Sequence, residues 1–434
     1  MRSNTIGLSR TGILPSRPWN FFIYAMIALA PIFGSVTGAA EISAAVVALL
    51  LMRKQGLPAV APIQKMVVVI LLGYFLYFVL RGFFTPDWKG YGGAILSIAG
   101  FVYFVPLFLY LPPRLTGLSP LRVSQVATAT LFVTFALGLV ASLVFHADRV
   151  SLFAGNALPF SALVLVTSFV APLGWHEKRP AGRLLAIIAV LLGLFTIAFL
   201  AKSRGPTAAW VVLLVPLLIY IGGARRRTAI AVAAGLAAAV VAAIAAIAVF
   251  HDTVVFARFS APLQDLISGG TGGHVGAGIS ERLIMYRAGI EAFLAQPIFG
   301  YGPQNRFDGA IPFMHGAHFW HHHLHNLFIT HAVAGGIIAV LLLIAFLAIP
   351  LIIAYSASRR SADLTYMAWV LTLGTIGFGA TNMISFYDLT VSFSLFNMLL
   401  LMGLASAQEA QATGNADAVC AGDQAKPRPT ASSA

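Results

Sequence analysis

Apolar runs of bilayer-spanning length recur along most of this chain, separated by short polar connections. In hydrocarbon every backbone N–H and C=O must be paired within the protein, which leaves helices and closed barrels as the only spanning structures. Barrel strands alternate polar and apolar residues. Here the runs are continuous, so they predict an all-α polytopic membrane protein. Composition agrees: the chain is 59% hydrophobic and 9% charged, whereas a soluble domain carries about 25% charged residues.

Twelve spans are expected, at 19–36, 39–52, 66–84, 94–111, 124–145, 156–174, 184–201, 206–222, 228–249, 335–355, 364–383 and 389–406. Residues 21–52 could form one overlong helix. Gly38 and Glu41 interrupt it, however, and basic residues flank both ends, which favours a two-pass hairpin with both basic clusters on one side. No small-residue cleavage site follows the first apolar segment, so that segment is expected to stay as an anchor. With both termini cytoplasmic, 18 of the 27 Lys and Arg fall inside, and the whole net charge of +13 sits on that face. The basicity then reads as a topogenic signal that suits anionic lipid heads and implies no nucleic-acid partner. The single cysteine, Cys420, excludes a disulfide framework or a Cys-based metal site within one chain. It lies in the polar stretch 407–434, expected to be a disordered cytoplasmic tail behind a single transmembrane domain, 1–406.

One long polar interruption, 250–334, falls between spans nine and ten and is expected outside the cytoplasm. Residues 251–331 hold nine of the eleven histidines, together with Arg258, Arg282, Arg287 and Arg306. Titratable groups beside a bilayer are costly and usually mark function. Residues 261–278 are glycine-rich, a turn and loop signal. Residues 280–295 read as an amphipathic helix capped by Ser280, with Arg282 in its first turn. Pro297-Ile298-Phe299-Gly300-Tyr301-Gly302 turns the chain back toward the membrane. His325 to Tyr355 is too long for one ordinary pass, and Gly335-Gly336 is predicted to break it. Such a break is tolerated where protein or water covers it.

Arg204, in Ala201-Lys202-Ser203-Arg204-Gly205-Pro206, stands at the outer membrane boundary. A guanidinium there either holds a phosphate through two parallel hydrogen bonds or snorkels as an anchor. Arg282 either adds its charge to the donors of a helix N-terminus around an anion or pairs with Glu281 on the surface. Arg287 and Arg306 are weaker candidates for substrate binding, solvated by default. His321, His322, His323 and His325 invite a metal. The glutamate of a His-Glu-x-x-His zinc motif is missing, though, and neighbours on one segment rarely converge on zinc. The more economical reading is metal-free and without cofactor, with one imidazole as general base for a hydroxyl.

Four elements in order resemble the O-antigen ligase and polymerase superfamily of bacterial membrane glycosyltransferases. They are Ser203-Arg204-Gly205 after a span, Ser280-Glu281-Arg282 opening a loop helix, Pro297-x-x-Gly300-x-Gly302, and His323-x-His325-Asn326 followed by Gly335-Gly336. The best-matched region is about 195–345. The resemblance implies a metal-independent, inverting transfer of a glycan from a polyprenyl diphosphate to a glycolipid or saccharide acceptor, such as lipid A-core, at the periplasmic face of the inner membrane. Arg204 and Arg282 would grip the diphosphate, and His325 would activate or orient the acceptor hydroxyl. His323 and Asn326 would support it, and Asp388 matches a position where relatives often carry an acid. The extra histidines 321 and 322 and the glycines of 269–278 are no hallmark of the family. A polymerase would share these groups and differ in its acceptor. A transporter or flippase usually shows internal repeats and intramembrane ionisable groups. Here acids are nearly absent from the spans, and the long loop lies away from the midpoint.

Overall fold

The computed structural model describes residues 17–86, 88–223, 277–315, 323–357, 361–383, 386 and 388–424. Among them all regular structure is helical: α1 (Arg17–Phe33), α2 (Ser35–Gln55), α3 (Pro62–Phe83), α4 (Tyr91–Leu96), α5 (Gly100–Tyr110), α6 (Pro120–Leu143), α7 (Ala157–Val170), α8 (Pro180–Phe195), α9 (Arg204–Gly222), α10 (Ala277–Ala295), α11 (Leu327–Ser356), α12 (Ala362–Gly379) and α13 (Asp388–Gln424), with short 3-10 and π turns between. Eight helical stretches among these residues are long and apolar enough to cross a membrane. Of the twelve expected spans, 228–249 lies outside the described residues. The expected spans at 19–36, 156–174 and 364–383 correspond to α1, α7 and α12, which pack in the bundle but are shorter or less apolar. The expected span 94–111 is bent: α4 ends at Leu96 and α5 begins at Gly100.

The helices alternate between two ends of one bundle. At the lower end, Trp19 of α1 packs edge-on against Tyr110 of α5, and the Tyr110 hydroxyl donates to Gln55 at the close of α2. Gln64 of α3 donates to the Phe108 carbonyl at 2.8 Å. Arg17, Arg53 and Lys54 therefore share an end, and the first two helices form the hairpin that their flanking charges predicted. Gly34 makes its turn at the upper end, with φ +31°, close against Ala154. The buried Glu41, on α2, is in hydrogen-bonding contact with Ser392 of α13.

α13 runs through the centre. Its spanning stretch is 89% buried inside the protein, against 44% or less for the other seven. This helix also passes its expected end at 406 and continues to Gln424, a correction to the tail boundary. Ala407-Gln408-Glu409-Ala410-Gln411-Ala412 are strong helix formers, so polarity stops the span without stopping the helix.

The lower end also holds a cavity of about 670 Å3 between α9 and α12, lined by His176, Pro216, Tyr220, Tyr366 and Trp369 among others. Tyr220 of this lining joins a hydrogen-bond network beside the cavity. The Tyr220 hydroxyl donates to Asp363, Gly174 N–H donates to the same carboxylate at 2.8 Å, and Trp175 N–H donates to Tyr220 at 3.0 Å.

At the upper end α11 is broken as predicted. Gly335 (φ −146°, ψ 16°) and Gly336 (φ 64°, ψ −158°) leave helical geometry, and Gly336 adopts a conformation that suits glycine. The break frees backbone groups, and the Pro297–Gly302 turn takes them up. Tyr301 N–H donates to Val333 O at 2.7 Å, Gly302 N–H to Ala334 O at 2.9 Å, and Ile337 N–H to Pro297 O at 2.8 Å. A Cβ on Gly300 would strike the backbone of Val333 and Gly335, and one on Gly336 would strike Ile298. Arg81 of α3 holds the other side of the turn, donating to Phe299 O at 2.7 Å and to Gly300 O at 2.6 Å. Two glycine motifs far apart in sequence are thus one interlocked joint.

Candidate functional site

α8 ends in a π turn, Thr196–Leu200, a device frequent at functional sites. Behind it Lys202 takes a left-handed φ of 50°, and α9 then starts at Arg204 with Ser203 buried at its cap. Gly205 lets this start sit against Thr381 past the end of α12, where any Cβ would collide with the threonine hydroxyl. The order Lys-Ser-Arg-Gly therefore aims two cations outward from a tightly packed corner.

α10 supplies the facing wall. Its Met285, Ala288 and Ala292 are buried with Leu324, Val333, Phe307, Ala310 and Met314 in a small core of their own. Gly289 permits close crossing by Ile329 of α11. The helix begins at Ala277, before the expected start at Ser280, so Arg282 lies in its second turn. This corrects the expectation that the helix N-terminus adds its donors beside Arg282. A side-chain cap is worth only about 1 kcal/mol, too little to stop a helix that Ala277 and Ile279 allow to continue.

His325 sits between the two walls. It holds φ 52°, unusual for a residue with a Cβ and a form of strain that clusters at active sites. Three contacts fix it. Its N–H donates to His323 Nδ1 at 3.1 Å, its carbonyl accepts from the Tyr286 hydroxyl at 3.0 Å, and the two imidazoles meet edge-on with centroids 4.2 Å apart. Burial raises the Tyr286 phenol above its ordinary pKa, keeping it the neutral donor. Asn326 caps α11 by accepting from Ile329 N–H at 3.0 Å, and its amide donates to Ala380 O at 3.1 Å. His323 and Asn326 thus hold His325 and its helix through backbone contacts.

Arg204, Arg282 and His325 line one cleft of about 600 Å3, together with Arg149, Leu158, Lys202, Ser203, Gly205, Ala208, Thr381 and Asn382. The sequence reading missed Arg149 and Lys202. Each looks like an interfacial cation alone, and they meet only because the α6–α7 connection folds against the α8–α9 corner, with Val150 N–H donating to Leu200 O at 2.9 Å. No carboxylate is among the described residues lining the cleft, so four cationic side chains face a common space. Such a site is built for a polyanion, which guanidiniums hold through paired, charge-assisted hydrogen bonds.

Three other expected residues stand elsewhere. Arg287 is exposed and pairs with Glu291 at 2.9 Å, which holds that carboxyl below its ordinary pKa. Arg306 donates to Pro303 O at 2.9 Å and lies 5.1 Å over the Phe386 ring. Asp388 opens α13, near Ser392 and outside the cleft lining. His331, deep in α11, bonds Tyr74 and the Leu327 carbonyl and serves the core. Arg258, His321, His322 and residues 261–276 lie outside the described residues. Among the described residues no three His, Cys, Asp or Glu side chains come together as a metal site.

A search of curated proteins found no match to this chain. Residues 188–344 match the family model Wzy_C, described as O-Antigen ligase, a stretch that runs from α8 through Arg204, Arg282 and His325 and beyond the glycine break. Over that stretch the chain is similar to the O-antigen ligase family.

Proposed function

We propose that the protein is an inverting glycosyltransferase that moves a glycan from a polyprenyl diphosphate to an acceptor hydroxyl, such as one on lipid A-core. It acts as a ligase at the periplasmic face of a bacterial inner membrane, with both termini in the cytoplasm and residues 250–334 as its catalytic loop. One observation carries the reading: Arg204, Arg282 and a conformationally constrained His325 converge on one cleft at the end of the bundle where α9 begins.

The chemistry needs little more. His325 takes the proton from the acceptor hydroxyl, and the oxygen attacks the anomeric carbon from the side opposite the diphosphate. The carbon–oxygen bond to the diphosphate breaks, and its electron pair goes to the phosphate oxygen. The configuration at that carbon inverts. Arg204 and Arg282 neutralise the charge growing on the leaving group, and their fixed placement supplies that stabilisation without reorganisation. In this scheme no metal is required. The donor is lipid-linked, which suits a face where nucleotide sugars are absent.

The test is deletion in the native bacterium with analysis of surface glycans, followed by reconstitution with purified lipid-linked donor. Full-length polymer stranded on the lipid carrier supports a ligase. Single repeat units stranded there point to a polymerase. Normal surface glycan with no stranded carrier would overturn the reading. Transfer in the reconstituted system is expected to survive a strong chelator.

A further inference from the structure

The cleft lining holds two cations besides the two arginines assigned to the donor's diphosphate. A polyprenyl diphosphate sugar brings one negative charge on each phosphate, which Arg204 and Arg282 match. Arg149 and Lys202 remain on the same lining. Lys202 is largely enclosed, its side chain 17% exposed, and its Nζ donates to Asp148 at 2.7 Å. Asp148 is 70% exposed and lies outside the lining. Arg149 Nε donates to the Ala201 carbonyl at 3.2 Å, which ties this guanidinium to the turn that carries Lys202. That turn is itself held by the π segment, through Ala201 N–H to Thr196 O at 2.8 Å and Ser203 N–H to Ile197 O at 3.0 Å. The pair is thus positioned by backbone at the rim, beside a surface carboxylate that an incoming anion can replace.

We infer that Lys202 and Arg149, with Asp148 as an exchangeable counter-ion, form a second anion subsite for an acidic group on one of the two saccharides, a phosphate or a carboxylate. The inference rests on the proposed transfer and deepens it. The reacting saccharide is selected by its own charge, separately from the diphosphate that leaves. Either the donor glycan or the acceptor can present that group, and the shared chemistry is an oxyanion within reach of one guanidinium and one ammonium.

The experiment measures binding by the full-length protein in nanodiscs, using two pairs of fluorescent probes. One pair is a short-chain prenyl diphosphate disaccharide with and without a uronic acid. The other is a glycolipid with and without one phosphate on its terminal sugar. Wild type is expected to bind the acidic member of one pair about 10-fold more tightly than its neutral twin, the scale of a charge-assisted pair. Lys202→Gln and Arg149→Gln should weaken the acidic member about 10-fold and the neutral one by less than about 3-fold. Lys202→Arg should restore the preference. The pair that responds identifies which saccharide carries the acid. Equal binding of acidic and neutral members in both pairs, or an equal loss of both in the variants, would overturn the subsite. Failure of the diphosphate probes to bind at all would overturn the transfer reading instead, and the glycolipid pair would still report on Lys202 and Arg149.

Discussion

The two ends of this bundle each hold a cavity of similar size, about 600 Å3 above and about 670 Å3 below. The lower one is walled by Pro216, Tyr366 and Trp369, and its Tyr220 hydroxyl is committed to a network beside it, donating to Asp363 and accepting from Trp175 N–H. The upper one brings Arg149, Lys202, Arg204 and Arg282 onto one lining without a described carboxylate among them. Volume does not separate the two; arrangement of charge does. Cations gathered on one lining suit an anionic ligand, so the upper arrangement reads as a binding site and the lower one as a structural joint.

That contrast is easiest to break at Arg282 and Arg204. Either residue changed to alanine should reduce glycan transfer by about 10³–10⁵-fold, the range for a guanidinium that stabilises a phosphate leaving group. Membrane insertion should be unaffected, and product formation in proteoliposomes is the measurement. Wild-type rates in both variants would remove the distinction between the ends. His325→Ala follows, with a loss of about 10²–10⁴-fold if the imidazole is the base. His323→Ala should cost less, because its contact with His325 is to the backbone N–H and the ring edge. A reversed ranking would move the base to the other imidazole.

Gly336→Ala probes whether the upper cleft depends on the joint behind it. The positive φ and the Ile298 carbonyl in the path of a Cβ should lower stability by about 1–3 kcal/mol, read as a drop in melting temperature with transfer falling alongside. At the lower end, Tyr220→Phe should cost about 1–2 kcal/mol by leaving Asp363 short of a donor. Transfer per folded molecule should stay within about 3-fold, since Tyr220 is not part of the cleft lining. A large catalytic effect would mean that the lower joint communicates with the cleft.

The smallest effect concerns Lys178, buried at the lower end with its Nζ donating to Leu173 O. Burial lowers its pKa from 10.5 to about 8. Between those values the unfolded chain holds a proton that the folded chain has shed, so stability rises with pH across that window. Lys178→Met should flatten this part of the curve, a difference of about 2–4 °C between wild type and variant across the window.

Much of this was legible in the residues alone. Continuous apolar runs meant helices, the doubled glycine meant a break, and Arg204, Arg282 and His325 were the groups that converged. What escaped reading has a common cause. Lys202 and Arg149 are separated by two helices and meet only through a backbone contact between connections, a relation that local pattern does not encode. Arg287 and Arg306 were weaker candidates than Arg282 in sequence, and the structure gives each another partner. Helix phase turns Arg287 outward to Glu291, and the Pro303 turn occupies Arg306. The helix start at Ala277 was missed because a serine capping signal is worth only about 1 kcal/mol and does not by itself fix where a helix begins.

The joint between Pro297–Gly302 and the Gly335–Gly336 break is made from main-chain atoms on both sides. Arg81 and Tyr77 of α3 grip its carbonyls from outside, and the side chains of the two joined segments take no part in those backbone bonds. The exposed Ile298 and Phe299 are free to drift as their surroundings change, whereas the glycines are not. A latch of this kind lets one outer face of the bundle diversify while the fastening beneath it stays the same.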